Sequence, residues 1–153
     1  LNSRKMMASI ALRLDRKVFS SVVMLAQIAA GSERLAVLKA LFGLGFAPES
    51  VPGGLLCLAV RTQSLRSVEA LLTLGLSPDQ PDATGKTPLM WASRYDDGDI
   101  AAVLLNAGAN LKLKDDGGRN ALDYARFHEA EDVYAVIQKH MIATSNPTVR
   151  AAP

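Results

Sequence analysis

Apolar residues recur along this chain in short runs at helical spacing, and several of the runs stop on a glycine. Val68, Leu71 and Leu72 fit one face of a helix, as do Val103 and Leu104. Gly75 and Gly108 follow these runs, and Gly45 follows an earlier one containing Leu41 and Phe42. Glycine tolerates the left-handed conformation that ends a helix. Pro48 and Pro78 come three residues after Gly45 and Gly75, and proline cannot continue a helix. Other segments carry start signals. Thr87 is a good N-cap, and Pro88 falls at the first helical position, where its missing N–H costs nothing. Asn120, with Asp123 three residues on, repeats that signal and sets an acid at the positive helix end. The pattern predicts helix, tight turn, helix and extended connection, several times over.

The units have a fixed length. Asp82-Ala-Thr-Gly85-Lys-Thr87-Pro88-Leu89-Met-Trp91-Ala92 aligns without a gap on Asp115-Asp-Gly-Gly118-Arg-Asn120-Ala121-Leu122-Asp-Tyr124-Ala125, at an offset of 33 residues. The first copy reads on through Val103-Leu104-Leu105-Asn-Ala-Gly108-Ala109-Asn110. A period near 33 residues with a T-P-L-x-x-A core resembles the ankyrin-repeat family, most clearly over residues 82–140. Upstream, Leu56-Cys57-Leu58-Ala59 and Leu71-Leu72-Thr-Leu-Gly75 keep the same frame. One step earlier the offset is 30, because the interval from Gly45 to Ala59 is 14 residues against 17 from Gly75 to Ala92. Three residues are thus missing from a connection that normally carries the hairpin finger.

The resemblance implies an all-α solenoid of about four helix-pair repeats, degenerate toward the N-terminus. The expected domain covers residues 1–143, with capping helices in 1–34, degenerate repeats in 35–81 and clear repeats in 82–114 and 115–142. Residues 144–153 read as a flexible tail. A terminal repeat needs a polar outer face, which Arg4, Lys5, Arg13, Arg16 and Lys17 can provide. The chain starts at Leu1, as a piece of something longer would.

The same resemblance locates a binding surface on the hairpin fingers and first helices, the concave side of such a stack. The position before the repeat's alanine is Leu58, Trp91 and Tyr124 in successive units, which would put the three in a row. Two positions past the alanine stand Arg61, Arg94 and Phe127, followed by Thr62, Tyr95 and His128. Lys86 and Arg119 belong to the fingers. Trp, Tyr and Arg are the types enriched where binding energy concentrates. The expected partner contacts are therefore Leu58, Arg61, Lys86, Trp91, Arg94, Tyr95, Arg119, Tyr124 and Phe127. The family usually has His where this chain has Cys57, Met90 and Asp123, which questions the usual hydrogen bond between repeats.

Composition adds limits. With 153 residues, 49% apolar and only 5% aromatic, one domain packed from Ala, Leu and Val is expected. No apolar run is long enough to span a membrane, and charges at Arg13, Asp15, Arg16 and Lys17 close the one segment that resembles a signal peptide. Net charge is +2, with +5 over residues 1–70 and −3 over 71–153. That is too little and too dispersed for nucleic acid.

Candidate chemistry is sparse. Cys57, the sole cysteine, sits between Leu56 and Leu58 and reads as a buried thiol in a reducing compartment, with cytoplasmic location expected. His128 and His140 have no zinc frame. Asp96-Asp97-Gly98-Asp99 lacks a calcium loop, and Asp97 suits a helix cap instead. No catalytic residue, metal or cofactor is expected.

The leading expectation is a non-catalytic module, monomeric alone, that binds another protein. A second reading is the substrate-recruiting domain of a larger enzyme. Secreted bacterial effectors, including the arginine ADP-riboxanases that modify host caspases, carry such ankyrin domains, which would place it in a host cytosol. A third is a structural or membrane-cortex adaptor, favoured by the basic N-terminal end.

Overall fold

The structure is a computed structural model that describes residues 35–43 and 54–145. Over these residues the chain forms seven helices and no strand. They are α1 (Leu35–Gly43), α2 (Leu55–Arg61), α3 (Leu65–Thr73), α4 (Pro88–Tyr95), α5 (Gly98–Asn106), α6 (Ala121–Phe127) and α7 (Glu131–Ser145). The expected capping helices, the shortened connection and Gly45 with Pro48 lie outside the described residues. Of the expected tail, Thr144 and Ser145 are the last residues of α7, so that segment begins helical.

The chain divides into two compact units, one ending at Leu76 and one beginning at Ser77. In the first, α2 packs on α3. Leu55, Leu56, Ala59 and Val60 of α2 and Val68 and Leu71 of α3 are buried. Cys57 is buried among them, as its flanking leucines predict.

In the second unit α4 packs on α6 and α5 on α7, while α4–α5 and α6–α7 form the two helix pairs. Leu89, Ala92, Ile100, Leu104, Val133 and Ile137 fill the interior. A fully buried Leu or Ile contributes about 1.5–3 kcal/mol relative to exposure.

The helix ends follow the 33-residue frame closely. Thr87 Oγ1 accepts from Met90 N–H, and Asn120 Oδ1 accepts from Asp123 N–H. In return Met90 Sδ accepts from Thr87 N–H at 3.4 Å and Asp123 Oδ2 from Asn120 N–H at 3.0 Å, closing a capping box in each repeat. Two of the three positions where the family usually has His, Met90 and Asp123, therefore cap their own helices. Gly75 and Gly108 have φ of +92° and +93° and terminate α3 and α5. Leu76 N–H to Leu71 O and Ala109 N–H to Leu104 O complete the two turns.

The first helices end differently. Gln63, Asp96 and Glu129 follow α2, α4 and α6 with φ of 52°, 54° and 53°. These non-glycine residues occupy the left-handed region at one repeat position, and sequence reading missed them. The following position is the N-cap of the second helix. Ser64 accepts from Ser67 N–H there, and Asp97 from Ile100 N–H as expected. Before α7 that position is Ala130, which has no acceptor side chain. Asp96 of the preceding repeat supplies one, its Oδ1 accepting from Val133 N–H at 3.0 Å.

Candidate protein-binding face

Two fingers lead into α4 and α6, and one aspartate organises each. Asp82 Oδ1 accepts from the Thr84 and Lys86 N–H groups and from the Thr84 hydroxyl, while Lys86 O accepts from Asp82 N–H. In the second finger Asp115 Oδ1 accepts from the Gly117 and Arg119 N–H groups, and Arg119 O accepts from Asp115 N–H. The fingers also meet. Asp116 N–H donates to Thr84 O at 3.4 Å, and a Cβ on Gly85 would lie 2.5 Å from Asp116 Oδ1.

The second oxygen of each aspartate reaches its helix. Trp91 Nε1–H donates to Asp82 Oδ2 at 2.7 Å, and the Tyr124 hydroxyl donates to Asp115 Oδ2 at 2.5 Å. Finger and first helix are thus joined by the same bond in successive repeats. Burial works against ionising either carboxyl. At Asp82 the Thr84, Trp91 and Lys86 donors outweigh it and hold the carboxyl below its ordinary value. At Asp115 the Tyr124, Arg119 and Gly117 donors, with the Arg119 charge, do the same. Tyr124 is pushed up to about 12, first by burial and then by the hydrogen bond and charge of Asp115.

The expected contact residues fall into distinct groups. Tyr124 is only 3% exposed, so it stands behind the surface and offers no open ring. Trp91 is half-buried and stacks with Tyr95 at 6.0 Å between centroids. Lys86 and Arg94 lie over the Trp91 ring at 5.5 and 5.6 Å, and Arg119 lies over Tyr124 at 5.1 Å. Tyr95 and Phe127 are 41% and 78% exposed. Phe127 meets exposed His128 edge-on. Leu58 is half-buried and Arg61 exposed, both on α2 in the other unit.

Asp82 and Asp115 were absent from the residues expected at the site. The signal was present, since each precedes its aromatic by nine residues in both aligned copies. Among the described residues, no group of three or more His, Cys, Asp or Glu side chains is placed to hold a metal ion. None of the described helices is long and apolar enough to cross a membrane.

Paired helices, caps and fingers on one frame define a helical repeat protein, and comparison with known proteins gives the family. The chain matches the family model described as ankyrin repeats (3 copies) over residues 26–115 and 56–146, and it belongs to the ankyrin-repeat family. It is 31% identical over 102 residues to potassium channel AKT2/3 of Arabidopsis thaliana, covering 67% of this chain and 12% of the channel. A putative ankyrin repeat protein of Rickettsia bellii (strain RML369-C) is 35% identical over 68 residues, 44% of this chain and 10% of that protein. Potassium channel KOR2 of Oryza sativa subsp. japonica is 28% identical over 94 residues, 61% of this chain and 13% of the channel. The chain thus spans about a tenth of the length of these relatives. Ankyrin repeats are generally protein–protein interaction modules and typically non-catalytic.

Proposed function

We propose that this chain is a non-catalytic module whose partner protein docks on the fingers at 82–87 and 115–120 and on the adjoining α4 and α6. One observation carries the reading: Asp82 and Asp115 hold the Trp91 and Tyr124 rings at matching positions of two repeats, and cations lie over both rings. Such a surface is ordered before it meets a partner, which lowers the entropy lost on binding. Lys86, Trp91, Arg94, Tyr95, Arg119 and Phe127 are the proposed contacts, with Tyr124 supporting them from behind. Leu58 and Arg61 are proposed contacts within their own unit. The reducing interior of a cell is the proposed location, on the strength of the single buried Cys57, and the chain alone is proposed to be monomeric.

A second reading is that the module recruits a substrate for a catalytic region elsewhere in a longer protein. The relatives support only its premise of a longer protein, since each matches over about a tenth of its length.

The test selects binders to the intact chain from a displayed library of short random peptides, then measures them against variants. Arg94→Glu and Tyr95→Ala are expected to weaken the selected binders, while Glu69→Ala and Asn106→Ala on second helices leave them unchanged. All four are expected to keep the wild-type helical circular dichroism. Binders that lose affinity only with the second-helix variants would place the partner elsewhere and refute the reading.

A further inference from the structure

A cleft of about 210 Å³ opens beside this face, and three cations line it: Lys86, Arg94 and Arg119. Its remaining wall includes Tyr124, Phe127 and His128. Residues 77–153 carry 8 Lys and Arg against 11 Asp and Glu, so a cationic cleft stands out against a net charge of −3. The neighbouring anions are already engaged. Asp115 accepts through both oxygens from the finger and from Tyr124, and Asp82 does the same with its finger and Trp91. Asp123 is the one anion lining the cleft, and its Oδ2 accepts from Asn120 N–H.

Arg94 is the cation best placed to receive a ligand. It is exposed, lies over Trp91 and has no ion-pair partner among the described residues. Its charge also acts on Tyr124, which lines the same cleft. Arg119 is held by Asp115 at 3.6 Å with its side chain 55% exposed. A guanidinium already stacked on an aromatic face loses little freedom when its planar fork pairs with a carboxylate. Beside these cations stands Phe127, 78% exposed, a large apolar surface left in water.

We infer that this cleft receives one carboxylate side chain, aspartate or glutamate, from an unphosphorylated acidic segment of the partner, with an apolar residue of that segment lying on Phe127. This rests on the face proposed above. The volume suits one or two side chains and falls below the roughly 300–1,000 Å³ typical of small-molecule pockets. A single negative charge also fits better than a phosphate dianion. Asp123 in the wall and ionised Asp115 behind Arg119 oppose a second charge more strongly than the first.

The selected peptides described above also decide this inference. Binders are expected to be enriched in Asp or Glu next to Leu or Phe. Arg94→Glu is expected to weaken them at least about tenfold. Replacing the peptide's acidic residue with Lys is expected to restore affinity for Arg94→Glu while abolishing it for the wild type. Phe127→Ala is expected to weaken them by a smaller factor. Neutral or basic binders that still depend on Tyr95 would overturn the inference and leave the face standing. Binders indifferent to every substitution on α4 and α6 would overturn both. A phosphoserine version binding more tightly than its Glu parent, or no enrichment over the library, also overturns the inference.

Discussion

The Tyr124 hydroxyl and the buried Asp115 carboxylate meet at 2.5 Å, and this bond favours the neutral tyrosine and the ionised aspartate. Tyr124→Phe deletes the donor and leaves Oδ2 of a buried carboxylate short of a partner. We expect a loss of about 1–3 kcal/mol, read from the urea midpoint. An unchanged midpoint would show that water replaces the hydroxyl without cost.

The two finger aspartates and Tyr124 set a pH response at both ends of the scale. Asp82 and Asp115 are depressed in the folded protein, so their stabilisation is complete above the unfolded carboxylate value near 3.8. It is lost as pH falls through their lower folded values. Tyr124 is raised, so its contribution is complete below the ordinary 10.0 and is lost as pH rises toward about 12. Ultraviolet titration of wild type against Tyr124→Phe should show one tyrosine ionising near that upper value. Ionisation of the missing tyrosine at an ordinary pH would contradict the bond.

Two glycines separate backbone strain from crowding. Gly108 has φ +93° and open space where a Cβ would stand, so Gly108→Ala is expected to cost about 1 kcal/mol from conformation alone. Gly85 has φ +73° and would bring a Cβ to 2.9 Å from the Asp116 backbone nitrogen. Gly85→Ala should therefore lower the thermal midpoint distinctly more. Equal effects would mean that the fingers separate freely.

The left-handed residues after α4 and α6 predict opposite signs at equivalent positions. Glu129→Gly relieves a conformation that costs a residue with a Cβ about 1–2 kcal/mol, partly offset by glycine's greater unfolded freedom. A small gain in stability is expected. Asp96→Gly relieves the same strain but removes the acceptor for Val133 N–H, so a net loss is expected. Calorimetry on the two variants checks the signs.

Leu104 is fully buried on α5. Leu104→Ala is expected to cost about 2–5 kcal/mol, measured by denaturant unfolding.

Much of the fold was legible because its determinants are local. Thr87, Asn120 and Asp97 cap the helices they immediately precede, and Gly75 and Gly108 take positive φ where the apolar runs stop. The 33-residue frame then gave the all-α class and the family. The site was read less well. The frame placed Trp91 and Tyr124 at one position, but exposure depends on what covers each ring, and Tyr124 is covered where Trp91 is only half so. The left-handed Gln63, Asp96 and Glu129 were hidden because no glycine marks them. Asp96 was further disguised, since its acceptor serves a helix 37 residues away.

That reach has a consequence for how the second unit comes apart. Besides the helix packing, hydrogen bonds pass from one repeat to the next: Asn110 N–H to Asp79 Oδ1, Asp116 N–H to Thr84 O and Val133 N–H to Asp96 Oδ1. Opening at any of these points leaves a backbone N–H without its acceptor in the neighbouring repeat. The start of α7 is pinned by Asp96, whereas Met141 to Ser145 at its far end are exposed. Fraying therefore runs inward from Ser145, and amide exchange along α7 should slow steadily from that end toward Val133. Asp96 thus holds the start of α7 and leaves its far end to open first.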